Sequence, residues 1–375
     1  MKAHLSSVEP SSLALCAALK EHFRATFVLP VSRAALGLAG VLSCWRNGRD
    51  CVRVALPGAV CHEVVLAVLA ARCEPVFCDV DVADGLVREC EWVRARSRGA
   101  EVAIVVHLYG NPAPVGTVRS VFRAPECLVV DDAAQALGSS SPEGLAGAQG
   151  DVGLLSFGHS KHIEAGNAAL LFRNVAFAEK VSTFMQLDAP ESEEVRSLLV
   201  RDFRSRFDAA RARLCRDGDA AASSFRGLLD GMEGVLHTPF DPRVQQQVLM
   251  AFERYPDSAS RRVSKGQLWS ELLAGTGLEP VGMGQGCVPW RYVCRLPGMT
   301  WDAQARLAEA LRKKGMHVSN WYLPAHWLVG HPAGTLPEVE RLAREVFQFW
   351  LDETMTPEAI AIQAQIVRQA MTCAL

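Results

Sequence analysis

The chain has 375 residues, 49% of them hydrophobic and 21% charged, with a formal net charge of −2. That length exceeds one small core and suits a large domain with a smaller companion. Its 39 basic and 41 acidic side chains nearly balance, so no whole-molecule field favours nucleic acid, and no stretch reaches the roughly 18–20 uninterrupted apolar residues of a membrane span.

The first element in chain order is an amphipathic helix, Ser12 to Phe23. Lys20 and Glu21 interrupt its apolar run, so it does not resemble a signal peptide. Short apolar runs follow at Val52–Leu56, Pro75–Cys78, Ala103–Leu108, Cys127–Val130, Leu154–Phe157 and Ala168–Phe172, with a helix at Cys61–Arg72 between the first two. Val/Leu/Ile runs separated by helical patterns predict an α/β fold, a largely parallel sheet covered on both faces. Beyond Asn174 the pattern turns helical, at Ser197–Arg216 and Gln245–Tyr255. From Gly286 a new unit begins. It reads as a strand at Val288–Leu296, a helix at Ala303–Lys314, a strand at His317–Leu323, and helices at Pro337–Trp350 and Pro357–Met371. The division expected is a large domain over residues 1–245 and a smaller α/β domain over residues 246–375.

Twelve cysteines are scattered without a CxxC pair, as expected of reduced, mostly buried thiols in a cytoplasmic protein. His159 and His162 stand three apart, but no second ligand pair follows at zinc spacing, so no metal is expected.

In open α/β sheets, ligands collect beyond the carboxyl ends of strands. Three such ends carry polar groups here: Tyr109-Gly110-Asn111-Pro112, Asp131-Asp132-Ala-Ala-Gln135 and Gly158-His159-Ser160-Lys161. A carboxylate at one strand end and a lysine in a later loop suit pyridoxal 5'-phosphate (PLP). Lys161 would form the Schiff base, and Asp132 would keep the pyridine nitrogen protonated. Gln135, one turn beyond, would orient the ring's 3-oxygen. Ser156 and Ser160 would donate hydroxyls to the phosphate, and a helix start near Ser32-Arg33-Ala34-Ala35 would offer it backbone amides. Taken residue by residue, plainer readings stand beside these: Asp132 as a turn former, Lys161 as a solvated loop lysine, the serines as strand-end and turn residues.

Four segments in order resemble the DegT/DnrJ/EryC1/StrS family of PLP-dependent sugar aminotransferases, of fold type I. They are PVFCDVD (Pro75–Asp81), VHLYGNPAPV (Val106–Val115), VVDDAAQALGS (Val129–Ser139) and GDVGLLSFGHSK (Gly150–Lys161). The resemblance implies a large domain with a mostly parallel seven-stranded sheet and a smaller C-terminal α/β domain. It places Lys161 at the family's Schiff-base lysine, Asp132 at the carboxylate on the pyridine nitrogen, Gln135 at the glutamine near the ring oxygen, and Ser156 at the phosphate-binding serine. It implies a homodimer with shared active sites. It also implies transfer of an amino group from an amino acid, commonly glutamate or glutamine, to a keto group, commonly on a nucleotide-linked sugar.

The sequence also departs from the family. The phosphate loop reads VSRAAL, with Ser32 and Arg33 where glycine and threonine are usual, leaving Arg33 and Ala34 to make the backbone contact. Cys61 takes the place of the aromatic residue that stacks on the ring. His62 either lies on the ring in its stead or simply starts the helix. EAGNAAL keeps Gly166 but follows it with Asn167 and Ala168, and DPRVQQ keeps Arg243 but puts Asp241 near the phosphate. His159 reads either as a ring contact or proton carrier, or as a loop histidine bonded to backbone. Trp321, Tyr322 and His326 read as substrate-entrance or core residues. The arginines of Arg201–Arg216 read as a solvated face or one turned to a nucleotide diphosphate. Such drift leaves two other readings: a PLP enzyme with elimination or carbon–carbon chemistry, and a non-catalytic family member.

Overall fold

The computed structural model describes residues 10–187 and 189–374; residues 1–9 of the expected large domain and residue 375 of the smaller one lie outside them. The helix α1 (Pro10–Phe23) leads into β1 (Phe27–Val31), α2 (Ala34–Arg46), β2 (Arg53–Pro57), α3 (His62–Ala70), β3 (Glu74–Cys78), α4 (Glu89–Ser97), β4 (Ala100–Val106), α5 (Val115–Val121) and β5 (Leu128–Asp132). A small hairpin, β6 (Ser140–Ser141) and β7 (Gly144–Leu145), precedes β8 (Val152–Ser156) and β9 (Ala168–Phe172). These strands, the hairpin apart, form one seven-stranded sheet in the order β1-β9-β8-β5-β4-β2-β3. Pairs among β3, β2, β4, β5 and β8 are parallel; β9 runs antiparallel to both β8 and β1. The fold is α/β with a mostly parallel sheet.

Both faces of this sheet are covered, which explains the unbroken apolar runs. Along β9, Leu170 and Phe172 join the core beneath α2, while Ala169 and Leu171 join the opposite core under α1. Apolar patterning does not mark β1. It sits at the sheet edge and contains Pro30, a residue tolerated there because an edge strand can spare an N–H.

The helices α6 (Val175–Gln186), α7 (Glu193–Asp217), α8 (Val244–Glu253) and α9 (Tyr255–Leu273) follow. A second sheet is built from β10 (Glu279–Pro280), β11 (Tyr292–Arg295), β12 (Val318–Ser319) and β13 (Val346–Phe349), in the order β10-β11-β13-β12 and antiparallel throughout. Between its strands run α10 (Trp301–Lys313), α11 (Ala325–Leu328) and α12 (Pro337–Glu345), and α13 (Pro357–Ala374) closes the chain. Its core holds Trp269 of α9 stacked on Tyr292 and Phe349, at centroid distances of 5.7 and 4.8 Å. Helix α8 packs on α1; α9 begins in that same core, with Tyr255, Ala259 and Val263, and joins the second core from Leu268 and Trp269 on, where it packs on α13.

One helix expectation is corrected. Pro337–Trp350 does not continue as a helix: it stops at Glu345, and β13 becomes an inner strand paired with both β11 and β12. Residues Val346, Phe347, Gln348 and Phe349 are all buried, and strand pairing outweighs local helical continuity there. The expected strand at His317–Leu323 shortens to Val318–Ser319, and α9 had gone unmarked.

Candidate active site

Strand β5 ends in two adjacent carboxylates, and strand alternation sends them opposite ways. Asp131 accepts from His107 Nε2 at 2.5 Å and from the backbone N–H groups of Gln149 and Gly150 at 2.7 and 3.3 Å. Because His107 Nδ1 accepts from the Ala113 N–H at 2.7 Å, its proton sits on Nε2, facing Asp131. This pair ties the ends of β4 and β5 to the turn that leads into β8.

Asp132 turns into a cavity lined also by Ala34, Cys61, Gln135, Ser156 and Lys161. Its Oδ1 accepts from the Ala134 N–H at 2.9 Å. Burial pushes its pKa up, against the opposing pull of the Ala134 N–H and the Lys161 ammonium. Gln135 is held at both ends: Oε1 accepts from the Tyr109 N–H at 3.0 Å, and Nε2 donates to the Tyr322 hydroxyl.

Lys161 lies in the turn between β8 and β9, its N–H bonded to the Gly158 carbonyl at 3.2 Å. Its Nζ stands 5.8 Å from the centroid of the Trp290 indole, whose Nε1 donates to the Ser160 carbonyl at 2.5 Å. The second sheet thereby buttresses the lysine turn. Helices α2 and α3 both begin at this cavity, with Arg33 and Cys61 at their N-caps, and neither cap side chain accepts a first-turn N–H. First-turn amides of both helices are thus left for an anion, apart from the Val64 N–H of α3, which donates to the Cys61 carbonyl at 3.0 Å. Arg33 and Glu63 form an ion pair between the two helix starts. The cavity opens into a larger one of about 620 Å³ whose wall includes Arg33, Lys161, Trp290, Arg291, Tyr322 and Trp350. The size, the amide-rich end, the acid and the lysine suit a phosphorylated aromatic aldehyde such as PLP.

Residues 4–200 match the profile of the DegT/DnrJ/EryC1/StrS aminotransferase family, which is more than half of the chain. The chain belongs to the DegT/DnrJ/EryC1/StrS family. An L-glutamine:2-deoxy-scyllo-inosose aminotransferase of Streptomyces fradiae is 32% identical over 154 residues, 40% of this chain and 36% of that protein, so the match spans about a third of the relative's length. A protein of the same name from Streptoalloteichus tenebrarius is 25% identical over 282 residues, 73% of this chain and 60% of its own. Among solved structures, the PLP form of a Streptococcus pneumoniae protein named as a sugar aminotransferase superimposes with a TM-score of 0.78. It covers 100% of this chain and 94% of that one at 15% identity, a likeness of fold.

In this DegT-family chain the remaining expected site residues are placed unevenly. Cys61 faces the cavity, and burial pushes its thiol up to about 12, so it stays protonated. His62 opens α3, and its ring stacks on Phe203 of α7 at 4.9 Å and 22°, away from Asp132 and Lys161. His159 borders the outer cavity with its side chain 92% exposed and paired with Glu164. Arg243 is 85% exposed and pairs with Asp241. The Asp241 carbonyl accepts from Asn167 Nδ2 at 2.7 Å, which ties the DPRVQQ segment to the loop after Lys161. His326 is buried and hydrogen-bonded to Glu340 at 3.0 Å. Arg33, Arg196, Arg201 and Arg204 line a separate groove of about 390 Å³.

The pattern reading missed Trp290, Arg291, Gln348 and Trp350 as cavity residues. A signal was there for one of them: Arg291 is a charge set among apolar residues in VPWRYVCRL.

Proposed function

We propose that this chain is a PLP-dependent aminotransferase that moves an amino group from an amino acid, glutamate or glutamine, to the keto group of a sugar or related cyclic metabolite. The observation that carries this reading is the convergence of Lys161, Asp132, Gln135 and Ser156 on one cavity beneath two uncapped helix starts. When bound, PLP supplies an electron sink for the substrate's reacting carbon. Lys161 would anchor it covalently and would serve as the base that moves the substrate's proton. Asp132 holds a proton on the ring nitrogen. The Gln135 amide, fixed by Tyr109 and Tyr322, orients the ring oxygen. Ser156 and the first-turn amides of α2 and α3 receive the phosphate, with the Arg33–Glu63 pair beside them. The names of the two inosose aminotransferases support a glutamine donor and a cyclic ketone acceptor.

The same reading includes a homodimer with shared sites. Exposed apolar side chains at the end of α6 and the start of α7, Phe184, Leu187, Val195 and Leu198, support an interface there. It also includes a cytoplasmic setting, supported by the unpaired cysteines of the described residues.

Purified protein given PLP is expected to show the visible-edge absorption of the lysine-bound cofactor, and L-glutamate or L-glutamine is expected to convert it to the pyridoxamine form. Lys161→Ala is expected to lack the band. A wild-type protein that takes up no PLP would overturn the proposal. Cofactor uptake without pyridoxamine formation from any amino acid would assign non-transaminase chemistry instead.

A further inference from the structure

Among the described residues, the outer cavity holds a cation with no carboxylate in direct contact; Asp352 and Glu164 act on it only through space. Arg291 sits just before β11 and is 8% exposed. Its guanidinium lies between two indoles, 4.0 Å from the Trp290 centroid and 3.6 Å from that of Trp350. Nη1 donates to Gln348 Oε1 at 3.1 Å, and the Gln348 amide is itself anchored on the Trp321 carbonyl. No carboxylate among the described residues forms an ion pair with Arg291. By contrast, Arg295, four residues on, pairs with both Glu279 and Glu345. Burial lowers the Arg291 pKa to about 10, which leaves it charged at neutral pH. The tyrosines facing it, Tyr109 and Tyr322, are pushed upward by burial and stay neutral.

A buried charge without a partner is costly, and a site retaining one is built for a ligand of opposite sign. The shape narrows the ligand further. With both faces of the guanidinium covered by indoles, only its edge is open to hydrogen bonding. Nη1 is taken by Gln348, while the Nε and Nη2 N–H groups donate to no group among the described residues and are not sealed from the cavity. A planar fork with open donors matches a carboxylate two-on-two. Phosphate has a different receptor in this cavity, the amides of the two helix starts.

We propose that Arg291 binds the carboxylate of the amino-acid donor. This rests on the aminotransferase reading and adds the residue that selects the donor. Lys161 Nζ and the Arg291 guanidinium stand off the same indole, so they lie within about 10 Å of each other. An amino acid the size of glutamate spans that gap, with its amine at the lysine's reacting position and a carboxylate at the arginine. The flanking tryptophans hold the fork rigid, so little side-chain entropy is lost when it engages.

The test uses PLP-loaded enzyme and glutarate, which has the carboxylates but no amine to react. Quenching of tryptophan fluorescence reads binding, since Trp290 and Trp350 flank the arginine. Wild type is expected to bind glutarate and to ignore glutaramide. Arg291→Met is expected to weaken glutarate binding roughly 10–100-fold, the loss of a charge-assisted pair. Arg291→Lys, which keeps charge without the fork, is expected to fall between. The cofactor band should survive both substitutions; if Arg291→Met loses it through misfolding, Arg291→Lys carries the test. In steady state the donor KM should rise and the acceptor KM should not. Unchanged glutarate binding in an intact variant, methyl phosphate binding in place of glutarate, or a rise confined to the acceptor KM would each overturn the assignment. Failure of the aminotransferase reading would show separately, as absence of the band or of pyridoxamine formation in wild type.

Discussion

Asp131 and Asp132 are chemically identical and adjacent, yet their surroundings differ. Asp131 is satisfied by His107 and two backbone amides, a closed arrangement that positions strand ends. Asp132 has one amide and an open cavity, and burial raises its pKa. A carboxyl with a raised folded-state pKa favours folding most at pH below its unfolded value, and that contribution is lost as pH rises through the folded value. Ionising Asp132 in the cofactor-free enzyme therefore costs stability as pH rises, and a cationic ring nitrogen would offset that cost. Asp132→Asn keeps an acceptor for the Ala134 N–H and removes the charge. Cofactor-free Asp132→Asn is expected to gain stability over wild type as pH rises through the carboxyl's folded-state value, by on the order of 1 kcal/mol, while binding PLP more weakly. Thermal melts across pH with and without PLP check both halves; the difference between the two apo proteins should vanish in acid. This residue was legible in the sequence because a strand end and its next turn are local, so DDAAQ already predicts which groups stand at the sheet edge. Arg291 was not. Its role depends on Trp350, nearly sixty residues later, and on Lys161, which approaches from another sheet.

Helix α7 shows the same division at the scale of an element. Its arginines suggest a solvated face, and several are exposed. Phe203, Phe207, Ala210 and Leu214 nevertheless form a buried stripe at helical spacing. That stripe covers the cavity's neighbours: Phe203 stacks on His62, and Phe207 stacks on Trp321 at 4.9 Å and 11°. The periodicity was visible in the sequence; its target was not, because nothing local says which surface a stripe will meet. The strand β13 was missed for a related reason. No glycine or proline separates it from α12, and only its pairing with β11 and β12 makes it a strand. Phe207→Ala is expected to cost about 3 kcal/mol, the range for deleting a buried phenyl ring, and to loosen Trp321 on the cavity wall. Urea unfolding measures the first effect. The second should appear as a raised donor KM with kcat less affected.

Across the whole molecule, the segment leading into β11 of the second sheet is sewn to the loops of the first. Val288 N–H donates to Ser139 Oγ at 2.9 Å, and Ser139 Oγ donates to the Gly110 carbonyl at 2.7 Å. Trp290 N–H reaches the Tyr109 carbonyl at 3.1 Å, and Ser140 N–H the Gly286 carbonyl at 2.9 Å. The close approach requires glycine at position 110, where φ is +98° and a Cβ would stand 2.3 Å from the Val288 carbonyl oxygen. Gln135, fixed by Tyr109, and Arg291, three residues after Val288, are therefore set in one hydrogen-bonded frame. Ser139 is fully buried, so Ser139→Ala strands the Gly110 carbonyl and the Val288 N–H without replacing either partner. The expected cost is about 2–3 kcal/mol. Because the frame runs through both sheets, the loss should lower one common unfolding transition, with the cofactor band and tryptophan fluorescence changing together in urea. Donor binding should weaken as Arg291 loses its register with Lys161, while Lys161 still holds the cofactor. Two separated transitions, or donor affinity equal to wild type, would mean that the sheets are held together by their apolar contacts and that the serine frame is incidental.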